Sequence, residues 1–526
     1  MKNVNNLEEI FSMQKKISTM HLVLIAAGGM MGSGWLFSPY YGLQVAGTGV
    51  LISWWITAAL TLILALVFAE VASILPIVGG VMRFIGVTHS RVVGFLFVAL
   101  AWISYIVYLP LEVQSSLQYL GFWAPSLINH SGESVSLSGL GVVVAFGVMA
   151  LLTWFNTLHL SSVAKANSAI SIWKLVIPVF IVIGVLLFFA KPANVVTHHI
   201  HNSFAFEPIL LAVTSSGLAF AFAGFQNGLI LANSAKNPKV AIPMSVIAPV
   251  VIGWVVYSGL SLMFMFCVPA DGLGNIGGIA PLLGLMSLLG LHYIYVVLFL
   301  DAVVAPFGTA NVYTTVTGKI LLGFGKEFFP KSMITRLNKC SAPAVALWIN
   351  FFLGALFLLP FPTWTQLVNF LSSLTLLSCL SGPIALMVFR RKFPDLERKF
   401  KLPFPYLFGY LGFASCTYFV YWSGHDNLLH LLILILIACT IYWLMFNFRN
   451  PIAAFSKSWY VTAYIASLFG VSYGRSIDAI AFPVDNYLVF GVSMIFATIF
   501  LLNQEPREVI AKNIEKLQLE VANDNK

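Results

Sequence analysis

An apolar stretch near the start of the chain, His21–Leu43, most constrains how the molecule can fold. It contains no Asp, Glu, Lys or Arg, and a helix of about 20 such residues crosses the roughly 30 Å hydrocarbon core of a bilayer. Its middle contains Gly28, Gly29, Gly32 and Gly34, and each Gly costs a helix interior about 1 kcal/mol relative to Ala. The stretch therefore predicts either a transmembrane helix broken at a binding site or a helix whose glycines serve close packing.

The composition identifies a helical membrane protein. Hydrophobic residues make up 59% of the 526 residues, charged residues only 9%, and the mean hydropathy is +0.91, whereas soluble domains carry about 25% charged residues. The five cysteines stand singly, so we predict neither a disulfide framework nor a metal site. Three histidines between His198 and His201 lack further ligands upstream. The first apolar stretch has spanning length and no clear cleavage pattern, so we expect it to be retained.

The apolar runs predict about 14 transmembrane helices. The uncharged stretch Cys340–Phe389 must hold two of them, because Pro360 and Pro362 supply a turn. The predicted spans are His21–Leu43, Gly49–Ser73, Val92–Tyr119, Leu137–Phe155, Ala169–Ala190, Pro208–Ala232, Ala241–Val268, His292–Gly318, Ala344–Leu359, Trp364–Phe389, Leu402–Trp422, Leu428–Met445, Trp459–Gly474 and Tyr487–Leu502.

The basic residues predict the orientation of the chain. With the N-terminus in the cytoplasm, 25 of the 28 Lys and Arg residues fall on the cytoplasmic side, with Lys191 and Arg475 outside and Lys174 within a span. This is the bias of the positive-inside rule. It explains the net charge of +9 without a nucleic-acid partner, and it predicts contact of the basic loop after the tenth span with the lipid bilayer. We expect a multi-pass protein of a bacterial plasma (inner) membrane with both ends cytoplasmic.

The sixth span repeats the interruption of the first, in the segment Phe220-Ala-Phe-Ala-Gly-Phe-Gln226. If spans one to five repeat as six to ten, the second set is inverted, and the two broken helices meet near the midplane. The predicted regions are a cytoplasmic segment 1–19, a ten-helix core 20–390 with repeats at 20–190 and 208–390, four additional helices at 391–503, and a cytoplasmic tail 504–526 that forms an amphipathic helix.

Several motifs resemble those of the amino acid/polyamine/organocation transporters. They are Gly32-Ser-Gly-Trp35, Glu70-Val-Ala-Ser-Ile-Leu-Pro-Ile-Val-Gly-Gly80, and Phe220-Ala-Phe-Ala-Gly-Phe followed by Lys236-Asn-Pro-Lys and Ile242-Pro243. Together they cover the first ten spans. The form Gly-Ser-Gly-Trp-Leu-Phe, the residue Gln226 and the fourteen spans are most similar to the aspartate:proton symporter-like permeases. Many family members carry acids in place of Gln226 and Asn233, and the absence of these acids argues against a cationic substrate.

The resemblance implies a leucine-transporter-type 5+5 inverted repeat in which broken helices 1 and 6 grip an amino acid. N–H groups around Ser33 and Gly34 suit its carboxylate, and carbonyls of Phe220 and Ala223 suit its ammonium. Phe220 and Phe222 either close over the substrate or pack in the core. The candidate substrate-binding residues are Met30, Gly32, Ser33, Gly34, Phe220, Phe222, Ala223, Gly224 and Gln226.

Three ionisable residues within apolar spans are candidate proton-coupling groups, because such residues are costly in a membrane and mark functional sites. Glu112 lies late in the third span, Lys174 lies near the inner end of the fifth, and Asp301 lies near the middle of the eighth. By the resemblance, Lys174 stands where related carriers hold a sodium ion, and its amine would reach carbonyls near Met30 and the eighth helix near Thr309. Alternatively, Lys174 snorkels to the interface and the two acids are structural. Glu70 is interpreted as a structural partner of Arg83 or of nearby backbone.

These features predict a secondary active amino acid permease that works by alternating access, with an acidic or neutral amino acid and protons as its ligands. The chain has no GxxxxGK[ST] motif, so we predict no ATP-driven transport and no cofactor. An antiporter of amino acids or amines is the first alternative. A non-transporting sensor is disfavoured by the short polar ends, and an enzyme by the lack of a recognisable catalytic cluster.

Overall fold

The computed structural model describes residues 18–74, 84–131, 134–158, 160–198, 205–229, 236–269, 272–446 and 455–524. Several sequence features therefore lie outside the described residues. They are Arg83, His199, His201, Asn233 and the end of the Glu70–Gly80 motif.

The described residues are almost entirely helical. The helices are Thr19–Met30 (α1), Gly34–Ala46 (α2), Val50–Ile74 (α3), Phe84–Thr88 (α4), Arg91–Leu120 (α5), Gly139–Asn156 (α6), Leu160–Phe189 (α7), Pro192–His198 (α8), Phe206–Ser215 (α9), Leu218–Ala221 (α10), Pro238–Cys267 (α11), Leu273–Ile276 (α12), Pro281–Leu288 (α13), His292–Phe328 (α14), Ala344–Leu356 (α15), Trp364–Ser378 (α16), Ser381–Lys392 (α17), Pro405–Trp422 (α18), His425–Phe446 (α19), Trp459–Ser476 (α20), Val484–Leu502 (α21) and Arg507–Asp524 (α22). Two short antiparallel strands, Ile128–Ser131 (β1) and Ser134–Leu137 (β2), pair with Ile128 opposite Leu137 between α5 and α6.

The predicted all-α polytopic fold is confirmed. Eight helical stretches among the described residues are long and apolar enough to cross a membrane, and a bent pair, Phe206–Ser215 with Leu218–Gly228, raises the number to nine. Three shorter apolar helices accompany them, and all fourteen predicted spans coincide with helical backbone. The limits of the two repeats and of the other regions stay predictions.

The first helix is broken where its glycines predict. The helix α1 ends at Met30, where the Met31 backbone leaves the helical region with φ −82° and ψ 73°, and α2 begins at Gly34. The break is therefore confined to Met31–Ser33. It is buried, which is the condition under which non-helical backbone is tolerated at membrane depth.

The sixth helix is broken at two glycines in left-handed conformations. Gly217, with φ 76°, separates α9 from the single turn α10, and Gly224, with φ 103°, separates α10 from a 3-10 turn at Phe225–Gly228. Residues with a Cβ rarely adopt such angles. The two halves differ in direction by 51°.

Two helices differ from their predicted limits. The fifth begins at Leu160 rather than Ala169, so Lys174 lies near the middle of α7 and not close to its first residue. The tenth is interrupted between Ser378 and Ser381, where α16 gives way to α17. The predicted amphipathic tail helix is α22, and Ile510, with Ile514 and Leu517, is buried against the rest of the chain.

The core of the fold surrounds α5, which packs against α14 and α16. The helix α1 packs against α11, and the four accessory helices α18–α21 pack on one another and, through α18, on α3 and α16. Arg475 of α20 forms ion pairs with Asp485 of α21 and with Glu207 of α9. The accessory helices are thus joined to the first half of the sixth helix.

A buried ion cluster surrounds Glu70 near the C-terminal end of α3. Its fully buried carboxylate contacts Arg390 Nε at 2.7 Å and Arg398 Nε at 3.1 Å, and it accepts a hydrogen bond from the Leu402 N–H at 2.7 Å. Glu70 therefore has partners both in the last turn of α17 and in the loop after it, as its predicted structural role requires. Its predicted partner Arg83 lies outside the described residues.

We expect Glu70→Gln to lower the free energy of unfolding by about 3–5 kcal/mol, because neutralising the carboxylate leaves two buried guanidinium groups without their counter-ion. The apparent melting temperature of the purified protein in detergent measures this effect. Glu508→Gln, on the exposed start of α22, is the matched control and should melt like the wild type. Equal melting temperatures for all three proteins would contradict the structural role of Glu70.

Candidate functional site

An acidic side chain from α5 accepts a hydrogen bond from the backbone at the break in the first helix. The Ser33 N–H donates to Glu112 Oε2 at 2.9 Å, and the Ser33 hydroxyl accepts a hydrogen bond from Trp364 Nε1 at 3.1 Å. A Cβ atom on Gly32 would lie 2.5 Å from Glu112 Oε1. Glycine at this position therefore lets the carboxylate reach the first turn of α2, where free N–H groups and the helix dipole favour an anion.

Lys174 lies on the other side of the same cluster. Its side chain is only 3% exposed, and Nζ donates to Thr309 Oγ1 of α14 at 2.5 Å. The Thr309 methyl group would lie 3.1 Å from a Cβ on Gly32, so the lysine is held close to the break. A snorkelling lysine would extend its amine to the membrane interface, whereas the amine of Lys174 is buried and bonded to Thr309. No hydrogen bond joins Nζ to the Met30 carbonyl in the part of the chain that the structure describes.

Two carboxylates, Glu112 and Asp301, interact electrostatically with the Lys174 ammonium. Asp301 is fully buried in α14. Neither of its carboxylate oxygens has a hydrogen bond of acceptable geometry within the described ranges, although the indole of Trp173 lies nearby. The buried cluster thus combines one cationic and two acidic side chains.

The break in the sixth helix is supported from α2 and α11. The Tyr257 hydroxyl donates to the Ala221 carbonyl at 2.8 Å, and the Ser38 hydroxyl donates to the Gly217 carbonyl at 2.9 Å. The Phe220 carbonyl accepts the Ala223 N–H at 2.8 Å within the turn. Each of these hydrogen bonds satisfies a backbone carbonyl that, in an unbroken helix, would accept a hydrogen bond from an N–H of the same helix.

The two breaks lie directly against each other. A Cβ atom on Gly34 would lie 3.0 Å from Ala221 Cα, and one on Gly224 would lie 3.0 Å from the Gly29 carbonyl oxygen. Both glycines therefore permit a backbone approach that a side chain would block. The predicted meeting of the broken helices is observed.

The two candidate gate residues lie in different aromatic surroundings. The ring of Phe220 lies 5.8 Å from that of Tyr108, which stacks on Tyr313 at 3.7 Å. The ring of Phe222 lies 5.5 Å from Tyr257 and 6.0 Å from Trp54. A gating role for either ring stays a prediction.

The structure places the predicted site residues in two adjoining groups. Gly32, Ser33, Glu112 and Lys174 gather around the first break, and Asp301 interacts electrostatically with Lys174. Gly34 lies against the turn that contains Phe220, Ala223 and Gly224. Met30 is buried, and its carbonyl accepts the Gly32 N–H at 3.0 Å. Gln226 donates from Nε2 to the Tyr105 hydroxyl at 3.3 Å.

Sequence reasoning missed the neutral residues that hold the breaks in place. Trp364 and Tyr257 each donate a hydrogen bond to one break. Both belong to residue types that are frequent here, with 13 Trp and 18 Tyr. The one signal available is the position of Trp364 directly after the turn containing Pro360 and Pro362, where a helix start is expected.

The sequence matches a known protein family and several characterised proteins. A sequence profile of the family described as amino acid permease matches residues 17–426. The chain is 31% identical to the aspartate-proton symporter of Bacillus subtilis (strain 168), over 90% of this chain and 94% of that protein. It is 30% identical to the glutamate/serine transporter AimA of the same organism, over 92% of this chain and 93% of that protein. It is 24% identical to that organism's branched-chain amino acid permease BcaP, over 82% and 93% respectively.

Gly34→Leu should abolish amino acid uptake while the protein still inserts into the membrane, because the new side chain would collide with the backbone of Ala221. Uptake of a panel of radiolabelled amino acids into proteoliposomes measures the loss. Gly147→Leu is the matched control, since a Cβ at Gly147 has nothing within 4 Å. Wild-type uptake by a correctly inserted Gly34→Leu variant would show that the contact between the breaks is not required.

Proposed function

Because the chain belongs to the amino acid permease family, we propose that it is a secondary active transporter that takes up an acidic or neutral amino acid together with protons. The relatives named above are transporters, which favours a carrier over a membrane enzyme. The observation that carries the proposal is the position of two buried charged groups at the break in the first helix. Glu112 binds the Ser33 N–H, and Lys174 binds Thr309 beside Gly32 and interacts electrostatically with Glu112 and Asp301.

In this proposal the substrate carboxylate binds at the start of α2, in the place that the Glu112 carboxylate occupies in the structure. When Glu112 is displaced, the Ser33 N–H can donate to the substrate carboxylate, and the glycines beside it leave room for that anion. The substrate ammonium binds carbonyls of the Phe220–Ala223 turn, which lies against Gly34. Substrate entry then requires the two breaks to separate and the Glu112 carboxylate to move away.

The charges of the cluster support proton binding. With all three groups ionised, Glu112 and Asp301 together exceed Lys174 by one negative charge, and an uncompensated buried charge is costly. One added proton makes the cluster neutral. A cluster that alternates between these two protonation states is suited to carry a proton across the membrane with each substrate.

The cluster also connects protonation to conformation. A protonated Lys174 joins α7 to α14 through Thr309, and Thr309 packs against Gly32 at the first break. Loss of the Lys174 proton weakens the hydrogen bond and frees the break, so that one proton shifts the balance between two states of the carrier.

We further propose that this multi-pass protein lies in a bacterial plasma membrane with both ends in the cytoplasm. The bias of its basic residues supports this orientation. The loop between α14 and α15 would then be cytoplasmic, and the start of α14 would face outward.

Lys174→Ala should keep measurable amino acid binding but lose stimulation of uptake by an inward proton gradient, by about tenfold or more. Thr309→Val is a second variant that removes the acceptor of the lysine and keeps its charge, and it should weaken the same stimulation. Proteoliposomes with and without a pH gradient provide the measurement. Lys191→Ala, an exposed lysine beyond the outer end of α7, is the control.

Two results would contradict the proton-coupled mechanism. One is uptake by the wild type that requires sodium and is indifferent to pH. The other is full stimulation of the Lys174→Ala variant by the proton gradient.

The orientation predicts opposite labelling at the two ends of α14. In intact cells, a membrane-impermeant maleimide should label Tyr293→Cys, whose position is 94% exposed, and should not label Met333→Cys, whose position is 62% exposed. After the cells are opened, both should react. Labelling of Met333→Cys in intact cells would reverse the proposed orientation.

A further inference from the structure

A small cavity of about 20 Å³ lies on the side of the sixth helix that faces α3 and α16. Phe220, Ala223 and Gln226 line it from the broken helix, and Ser372 and Thr375 line it from α16. None of its described lining residues carries a charge. The cavity shares Phe220 and Ala223 with the proposed ammonium site, so a substrate held there has its side chain within reach of the cavity.

Two buried polar atoms in the cavity lining lack partners. Thr375 Oγ1 and Gln226 Oε1 have no hydrogen-bond partner in the described part of the chain, and each residue is only 5% exposed. Buried polar atoms of native proteins are nearly always paired, because an unpaired one costs free energy. Gln226 already uses its amide nitrogen on Tyr105. Its carbonyl oxygen therefore requires a hydrogen-bond donor, whereas the Thr375 hydroxyl can either donate or accept a hydrogen bond.

Charge and size restrict what can fill the cavity. A second substrate carboxylate would be buried there without a counter-ion among the described lining residues, and it would repel the carbonyl oxygen of Gln226. A water molecule needs about 10–15 Å³ of such space, so about 20 Å³ holds a group of one or two heavy atoms. A hydroxymethyl group has this size, and its hydroxyl can donate to Gln226 and accept from Thr375.

We infer that this cavity receives the substrate side chain and selects a small, uncharged hydroxyl group, so that the carrier prefers serine to aspartate. This inference rests on the proposed function, since it places the amino acid between the two breaks. It narrows the acidic or neutral substrate of that proposal to one chemical class and assigns side-chain recognition to Gln226 and Thr375.

The test compares the affinities of the purified, full-length carrier for serine, alanine and aspartate by isothermal titration calorimetry. The wild type should bind serine more tightly than alanine, and aspartate least. Thr375→Val keeps the shape of the side chain and removes its hydroxyl, so serine should bind about five- to tenfold more weakly while the affinity for alanine stays unchanged. Thr440→Val, the same change on an exposed face of α19, should alter neither affinity.

Gln226→Met is a second variant in case Thr375→Val does not fold, and it should likewise weaken serine binding and spare alanine. Tighter binding of aspartate than of serine by the wild type would overturn the inference, as would an equal loss of serine and alanine affinity in the variants. These results leave the proposed function intact. Failure of the wild type to bind any amino acid would overturn the proposed function as well.

Discussion

The structure depends on how two short segments of unwound backbone satisfy their hydrogen bonds far from water. Each break takes partners from other helices: α5 supplies Glu112 to Ser33, α11 supplies Tyr257 to Ala221, and α16 supplies the indole of Trp364 to the Ser33 hydroxyl. Because an unpaired backbone group costs several kcal/mol in hydrocarbon, a partner can leave a break only when another group, such as the proposed substrate carboxylate, takes its place. The helix that supplies Glu112, α5, is itself packed against α14 and α16.

The same requirement brings the groups of the proposed binding site and of the proposed coupling cluster together. The carboxylate that satisfies the Ser33 N–H is also one of the two acids that interact with Lys174. In the proposed mechanism, the group that leaves the first break for a substrate is thus also the group that interacts with the charge of the lysine. Glu112 then connects substrate binding to proton coupling directly.

Features that carry a strong energetic penalty in a membrane were predictable from the sequence. The glycines at the first break and the ionisable Glu112, Lys174 and Asp301 stand out because an apolar span rarely contains them. Trp364 and Thr375 could not be identified in this way, since neutral residues cost a span little and their role depends on which neighbour they meet. The start of the fifth helix at Leu160 was missed because its first turns contain Ser, Lys and Asn, and polar residues of this kind end a hydropathy signal without ending a helix.

The two halves of the sixth helix are attached to different neighbours. Its first half, α9, is tied to the accessory helices through Glu207 and Arg475 and through a hydrogen bond from the Thr214 hydroxyl to the Trp422 carbonyl at 2.6 Å. The 3-10 turn after Gly224 packs instead on α1 and α11. Any rotation of one half relative to the other must be absorbed by the few residues between Gly217 and Gly224. The last four helices contribute no group to the candidate site among the described residues, but they anchor the half-helix that leads into its second break.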